Sequence, residues 1–116
     1  MQKIIDKSVL PDGTKIQLED WRHSENTKAY PNLHGYTIGA YPIAKNTNKW
    51  GLIKTGESFR LSIARNEYAK YTDDMVLADY EALKNGTKTL ADLREHFWNR
   101  EKDAFYLGLI DKEPEW

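Results

Sequence analysis

The chain contains no cysteine. That excludes a disulfide framework, thiolate catalysis and every zinc site built on Cys, and it fits a reducing compartment, so a cytoplasmic protein is expected. Long apolar runs are missing as well. Nothing approaches the roughly 18 residues a spanning helix needs, and Met1-Gln2-Lys3-Ile4-Ile5-Asp6-Lys7 loses its apolar character too early for a signal-peptide core. A soluble chain without membrane association is expected. Net charge is a third absence: 17 Lys and Arg stand against 18 Asp and Glu, a formal −1. A charge that small gives no long-range pull toward nucleic acid or membrane, so electrostatic recognition must be local.

Chemical signatures are also wanting. Gly56-Glu57-Ser58-Phe59-Arg60 comes nearest to a nucleophile elbow but lacks the second glycine. Gly13-Thr14-Lys15 lies in a turn, not in a phosphate loop. Gly35-Tyr36-Thr37-Ile38-Gly39 has the wrong spacing for a dinucleotide loop, and a glycine inside a strand reads as close packing or a bulge. Asn85-Gly86-Thr87 matches a glycosylation triplet but reads as a helix stop. No catalytic residue, cofactor or metal is assigned.

What the sequence does hold is enough for one core. At 116 residues, 40% hydrophobic and 12% aromatic, it is a single domain spanning 1–116. Its one asymmetry is a run of 31 residues, 26–56, with four lysines and no Asp or Glu. The segment charges are −1 for 1–25, +4 for 26–56 and −4 for 57–116.

The period of the apolar residues gives the organisation. Residues 3–10 and 14–21 flank Pro11-Asp12-Gly13 as a hairpin, with Ile16 and Leu18 on one face, Asp20 next in that row, and Lys15, Gln17 and Glu19 on a wet face. Residues 22–35 read as a long polar loop. Residues 36–44 regain strand character, with Pro42 pointing to an edge strand or bulge, and residues 50–53 begin a return strand. Residues 57–65 alternate cleanly and are placed centrally in the sheet, with Phe59, Leu61 and Ile63 inward and Arg60 outward. Thr72 caps a helix whose first turn holds Asp73 and Asp74, and Asn85-Gly86 stops it. A second helix starts at Thr89, with Asp92 closing a box-like cap and Leu90, Leu93 and Phe97 as its stripe. Residues 102–107 give a short third helix, or residues 104–110 a late strand. Strands first and helices last predict an α+β fold: an antiparallel sheet of about four strands, the hairpin plus two later strands, with two or three C-terminal helices on one face.

Candidate sites follow from residue type. Lys45, Lys49, Trp50 and Lys54 on a 45–54 hairpin, together with Arg60 on the outer sheet face, form a basic aromatic partner-binding surface if their rings are exposed; otherwise Tyr36, Tyr41 and Trp50 are core and the lysines guard an edge. Asp20, His23, Glu25 and His34 could bind a divalent metal or divide acid and base work in a small hydrolase-like enzyme, but their spacing fixes no geometry. His96 reads as a surface i,i+4 partner of Asp92, and Asp79 as a solvated rim residue that would need an Arg or Tyr partner if buried. The acidic end, with Asp111, Glu113, Glu115 and Trp116 around Pro114, either folds back or docks on a partner. The expected function is macromolecule binding without catalysis, with a protein favoured as partner. Single-stranded nucleic acid bound through the same hairpin is the second reading.

Overall fold

The computed structural model describes residues 3–22, 35–65 and 70–115. Its fold is α+β. Four antiparallel strands, β1 (Lys3–Val9), β2 (Lys15–Asp20), β3 (Tyr36–Tyr41) and β4 (Leu61–Ile63), form one sheet in the order β1-β2-β3-β4. Helix α1 (Asp73–Asn85), a 3-10 helix (Ala91–His96) and helix α2 (Arg100–Tyr106) follow. No helix among the described residues is long and apolar enough to cross a membrane.

The first hairpin turns as its residues dictate. Gly13 takes the left-handed position at φ 92°, the Asp12 side chain accepts from the Thr14 N–H at 2.9 Å, and the Leu10 N–H donates to the Thr14 carbonyl at 2.8 Å. Register then stacks one face across the sheet: Ile16 lies opposite Ala40, Leu18 opposite Ile38, Ile38 opposite Ile63 and Ala40 opposite Leu61. All six are buried, and Val76, Tyr80, Leu83, Leu93, Phe97 and Phe105 from the helical half complete the core on that face.

Helix α1 starts and stops where local chemistry requires. Thr72 accepts from the Met75 N–H at 3.3 Å, Asp73 and Asp74 sit at the positive end of the dipole, and Gly86 caps the C-terminus at φ 81°. Asp92 closes back on Thr89, accepting from its N–H at 2.8 Å and its hydroxyl at 3.2 Å, but the Thr89 hydroxyl does not cap in return. The Asp92 N–H donates to the Thr89 carbonyl at 3.1 Å, so only half of the expected box forms, and the segment that follows is 3-10.

Several expectations are corrected. Strand character in 57–65 reaches the ladder only at Leu61–Ile63, and β4 is the last strand, not a central one. Its outer side is nevertheless closed: the Ala64 N–H donates to the His96 carbonyl at 3.0 Å and the Trp98 N–H to the Ser62 carbonyl at 2.9 Å. β3 is internal and ends at Tyr41, so Pro42 falls outside the ladder and its missing donor costs nothing. Residues 50–53 form turns, not a return strand, and residues 104–110 make no strand because 100–106 is helical. The wet face of β2 is not uniformly wet, since Glu19 is fully buried.

Candidate functional site

The segment 43–58 is built as a loop of successive turns. It is not a β-hairpin: only the isolated bridge between Ile43 and Ser58 is sheet-like. Three things hold it. At its base the Ala44 N–H donates to the Glu57 carbonyl at 2.7 Å, and the Gly56 N–H to the Ala44 carbonyl at 2.9 Å. Against α2, the Lys45 N–H bonds the Tyr106 carbonyl at 2.7 Å and the Asn46 side chain donates to the Phe105 carbonyl at 2.7 Å. At its centre Asn48 is buried, its amide donating to the Tyr106 hydroxyl at 2.9 Å while its side-chain oxygen accepts from the Leu52 N–H at 2.9 Å. Gly51, at φ 67°, makes the reversal that brings Leu52 back onto Asn48.

The result is an ordered backbone with exposed apolar side chains at its tip. Trp50 is 54% exposed and Leu52 76%. Lys49 places its ammonium 4.4 Å from the centroid of the Trp50 ring, a cation–π contact on the open surface. Lys54 is exposed beside them, with its Cε 3.7 Å from the Cβ position of Gly51. A carboxylate from the acidic segment also reaches the loop: Glu113 accepts from the Lys49 N–H at 2.7 Å.

The five residues singled out from sequence thus divide into three groups. Lys49, Trp50 and Lys54 share the loop. Lys45 lays its aliphatic chain across Gly108 and lines a separate apolar groove of about 650 Å3 with Ile43, Leu83, Lys88, Leu107 and Leu109. Arg60 is turned away to an ion pair, donating to Glu19 at 2.7 and 2.9 Å and to the Tyr41 hydroxyl at 2.9 Å. Tyr36 and Tyr41 are half-buried and lie under Arg22 and Arg60, with guanidinium-to-ring distances of 4.8 and 5.8 Å. Of the aromatic residues expected to form a platform, Trp50 is the one in the described residues that the fold leaves mainly in solvent.

Of the candidate acid–base group, Asp20 alone falls within the described residues. His23, Glu25 and His34 lie outside them, and Asp20 accepts from the Arg22 backbone and guanidinium at 2.9–3.0 Å. His96 is buried, not a surface partner of Asp92: its ring stacks on Tyr71 at 3.7 Å, and its Nδ1 is buried with no hydrogen-bond partner among the described residues. Burial lowers its pKa. Asp79 is buried too, held by the Tyr71 hydroxyl and the Lys88 ammonium, both at 2.7 Å. Burial raises the Tyr71 pKa, and the Asp79 hydrogen bond raises it further. Asp103 is a buried carboxyl that sequence reasoning missed: lost solvation pushes its pKa up to about 7, opposed by the Asn99 N–H that it accepts at 3.2 Å. Its signal was faint, an acid between Lys102 and Ala104 on a short helix whose first four residues are all charged.

No protein-family model matches the chain, and no curated protein or solved structure does either.

Proposed function

We infer that the protein binds another protein, with the tip of the 48–54 loop as the contact and Trp50 as its anchor. The observation that carries this reading is order without burial. A buried, doubly bonded Asn48 side chain fixes a loop whose outward residues, Trp50 and Leu52, stand largely in water. Interface energy concentrates in such residues: a rigid aromatic side chain loses little freedom when it docks, and a preorganised loop lowers the ordering cost further. Lys49 and Lys54 add a local positive rim suited to an acidic margin on the partner.

The nucleic-acid reading draws less support. Stacking along a strand needs successive exposed rings and a continuous basic track. Here Tyr36 and Tyr41 are covered by Arg22 and Arg60, and Arg60 is itself engaged by Glu19.

A photoreactive amino acid placed at position 50, then at 52, tests the reading in cells that make the protein. Position 9 is the control, because Val9 is as exposed, at 63%, but lies on β1. A discrete protein adduct formed from 50 and 52 and not from 9 is expected. Adducts to nucleic acid, or the same adducts from all three positions, would refute it.

A further inference from the structure

His96 is a core residue whose inner nitrogen bonds nothing. The residue is 5% exposed, and its Nδ1 has no hydrogen-bond partner among the described residues. Nε2 stands 3.6 Å from the exposed Glu95 carboxylate, so the neutral ring keeps its hydrogen on that side and an added proton must go to the buried Nδ1. The ring lies parallel to that of Tyr71, with 5° between planes and 3.7 Å between centroids. A charged Nδ1–H enclosed there has no acceptor. Asp79, the buried carboxylate on α1, already takes the Tyr71 hydroxyl and the Lys88 ammonium, both at 2.7 Å, and Lys88 repels an imidazolium. Tyr71 before α1, Asp79 on it, Lys88 after it and Glu95 beside the ring are the titratable groups that face His96 among the described residues, and β4 contributes the Ala64 N–H.

The segment that carries the ring is lightly tied. Ala91–His96 is one 3-10 stretch with a kink at Leu93, where φ is −101° and ψ is 15°. Among the described residues one backbone bond joins it to the sheet, from the Ala64 N–H to the His96 carbonyl at 3.0 Å. Just past the ring the chain is anchored again: Phe97 is fully buried and bridges Ile63, and the Trp98 N–H bonds the Ser62 carbonyl at 2.9 Å. Upstream, Leu90 and Ala91 wall the apolar groove of about 650 Å3 that Ile43 and Lys45 also line. The geometry points to a proton-operated latch: protonated at Nδ1, His96 leaves the Tyr71 stack, breaks the Ala64 bond and carries Ala91–His96 away from the end of β4 on Phe97 as pivot, displacing the groove wall at Leu90 and Ala91. Burial lowers the pKa of the enclosed ring, so the closed form favours the neutral imidazole and the open form takes the proton. Leu93, buried beside His96, holds the latch shut at neutral pH.

Hydrogen exchange followed by NMR on the whole chain from pH 5 to 8 tests the latch, with each rate divided by the intrinsic rate at that pH. Opening at the Ala64 amide is expected to rise by about tenfold per pH unit as pH falls below 6.5, as the uptake of one proton requires, and to be insensitive to urea below the unfolding transition. The Trp98 amide, beyond the pivot, should instead follow urea as global unfolding does. Over the same pH range the His96 Cε1–H resonance, displaced by the Tyr71 ring, should move to the position of a free imidazolium. His96→Gln should remove the pH dependence at Ala64. If that variant misfolds, the wild-type series in pH and urea decides alone. A pH-independent Ala64 amide, a rise at Ala64 that shares the full urea dependence of Trp98, or a protonated ring still displaced by Tyr71 would overturn the proposal.

Discussion

Glu19 and Arg60, 41 residues apart in sequence, form a two-pronged ion pair at 2.7 and 2.9 Å that lies flat on the backbone of Gly39. The carboxylate is fully buried and takes two further hydrogen bonds, from Gln17 at 2.5 Å and from the Trp21 indole at 2.9 Å. Burial pushes its pKa up, but the Arg60, Gln17 and Trp21 donors together outweigh that and leave it below the usual carboxylate value. A Cβ on Gly39 would stand 2.6 Å from Glu19 Oε2 and 2.8 Å from Arg60 Nη1. The glycine of β3 is therefore the floor the pair requires.

Removing one member of that pair should be costly and removing both should not. Arg60→Met leaves a buried carboxylate uncompensated and is expected to cost about 2–4 kcal/mol, the lower end reflecting the third of the arginine side chain that water reaches. Gly39→Ala should cost a similar amount by forcing the pair apart. The double variant Glu19→Leu, Arg60→Met should recover most of the loss. Urea denaturation midpoints at constant slope check all three, and a double variant no more stable than Arg60→Met alone would contradict the account.

The Trp50 loop should depend on Asn48 in the same local way. Asn48→Ala removes the side-chain acceptor of the Leu52 N–H and one hydrogen bond of the Tyr106 hydroxyl and is expected to cost about 1–3 kcal/mol. Tyr106→Phe removes one of those bonds and should cost about 1 kcal/mol. Hydrogen exchange at the Leu52 amide should accelerate at least tenfold in Asn48→Ala, with the β2 and β3 amides tracking only the global loss.

Two buried groups should tilt stability with pH in opposite directions. The His96 pKa is lowered below its ordinary 6.5, so the unfolded chain takes up the proton first; the stability it contributes is present above pH 6.5 and lost as pH falls below it. Tyr71, Asp79, Lys88 and Glu95 are the polar groups around it, and His96→Gln should flatten that acid limb. For Asp103 the sign is reversed. Its pKa rises from 3.8 to about 7, so stability is fully present below pH 3.8 and lost as pH rises toward 7. Asp103→Asn, which keeps an oxygen for the Asn99 N–H, should melt higher than wild type at pH 8 and no higher at pH 3.5. Thermal melts across pH 3.5–8 check both limbs.

These residues also show why part of the structure was legible in the sequence and part was not. Thr72, Asp73 and Gly86 act within a few residues of themselves, so the ends of α1 could be read directly. The hairpin around Gly13 was readable for the same reason. Glu19 was read as wet because alternation assigns a face but not what covers it, and its cover arrives from residue 60. Asp79 was misplaced on the same ground, with Tyr71 and Lys88 supplying what the helix pattern could not show. His96 failed through period: an i,i+4 pairing presumes an α-helix, whereas in the 3-10 segment residues three apart share a face, and Leu93 and His96 both turn inward. For the candidate surface, residue types located Lys49, Trp50 and Lys54, but the burial of Asn48 that orders the loop depends on Tyr106, 58 residues away.

The most direct measurement is the affinity of the crosslinked partner, once purified, for the wild-type chain and for a Trp50→Ala, Lys49→Glu variant by titration calorimetry, with circular dichroism confirming equal folding. A loss of at least about 30-fold, the scale of one interface anchor, is predicted. Unchanged affinity in a correctly folded variant would contradict the assignment of the 48–54 loop as the contact.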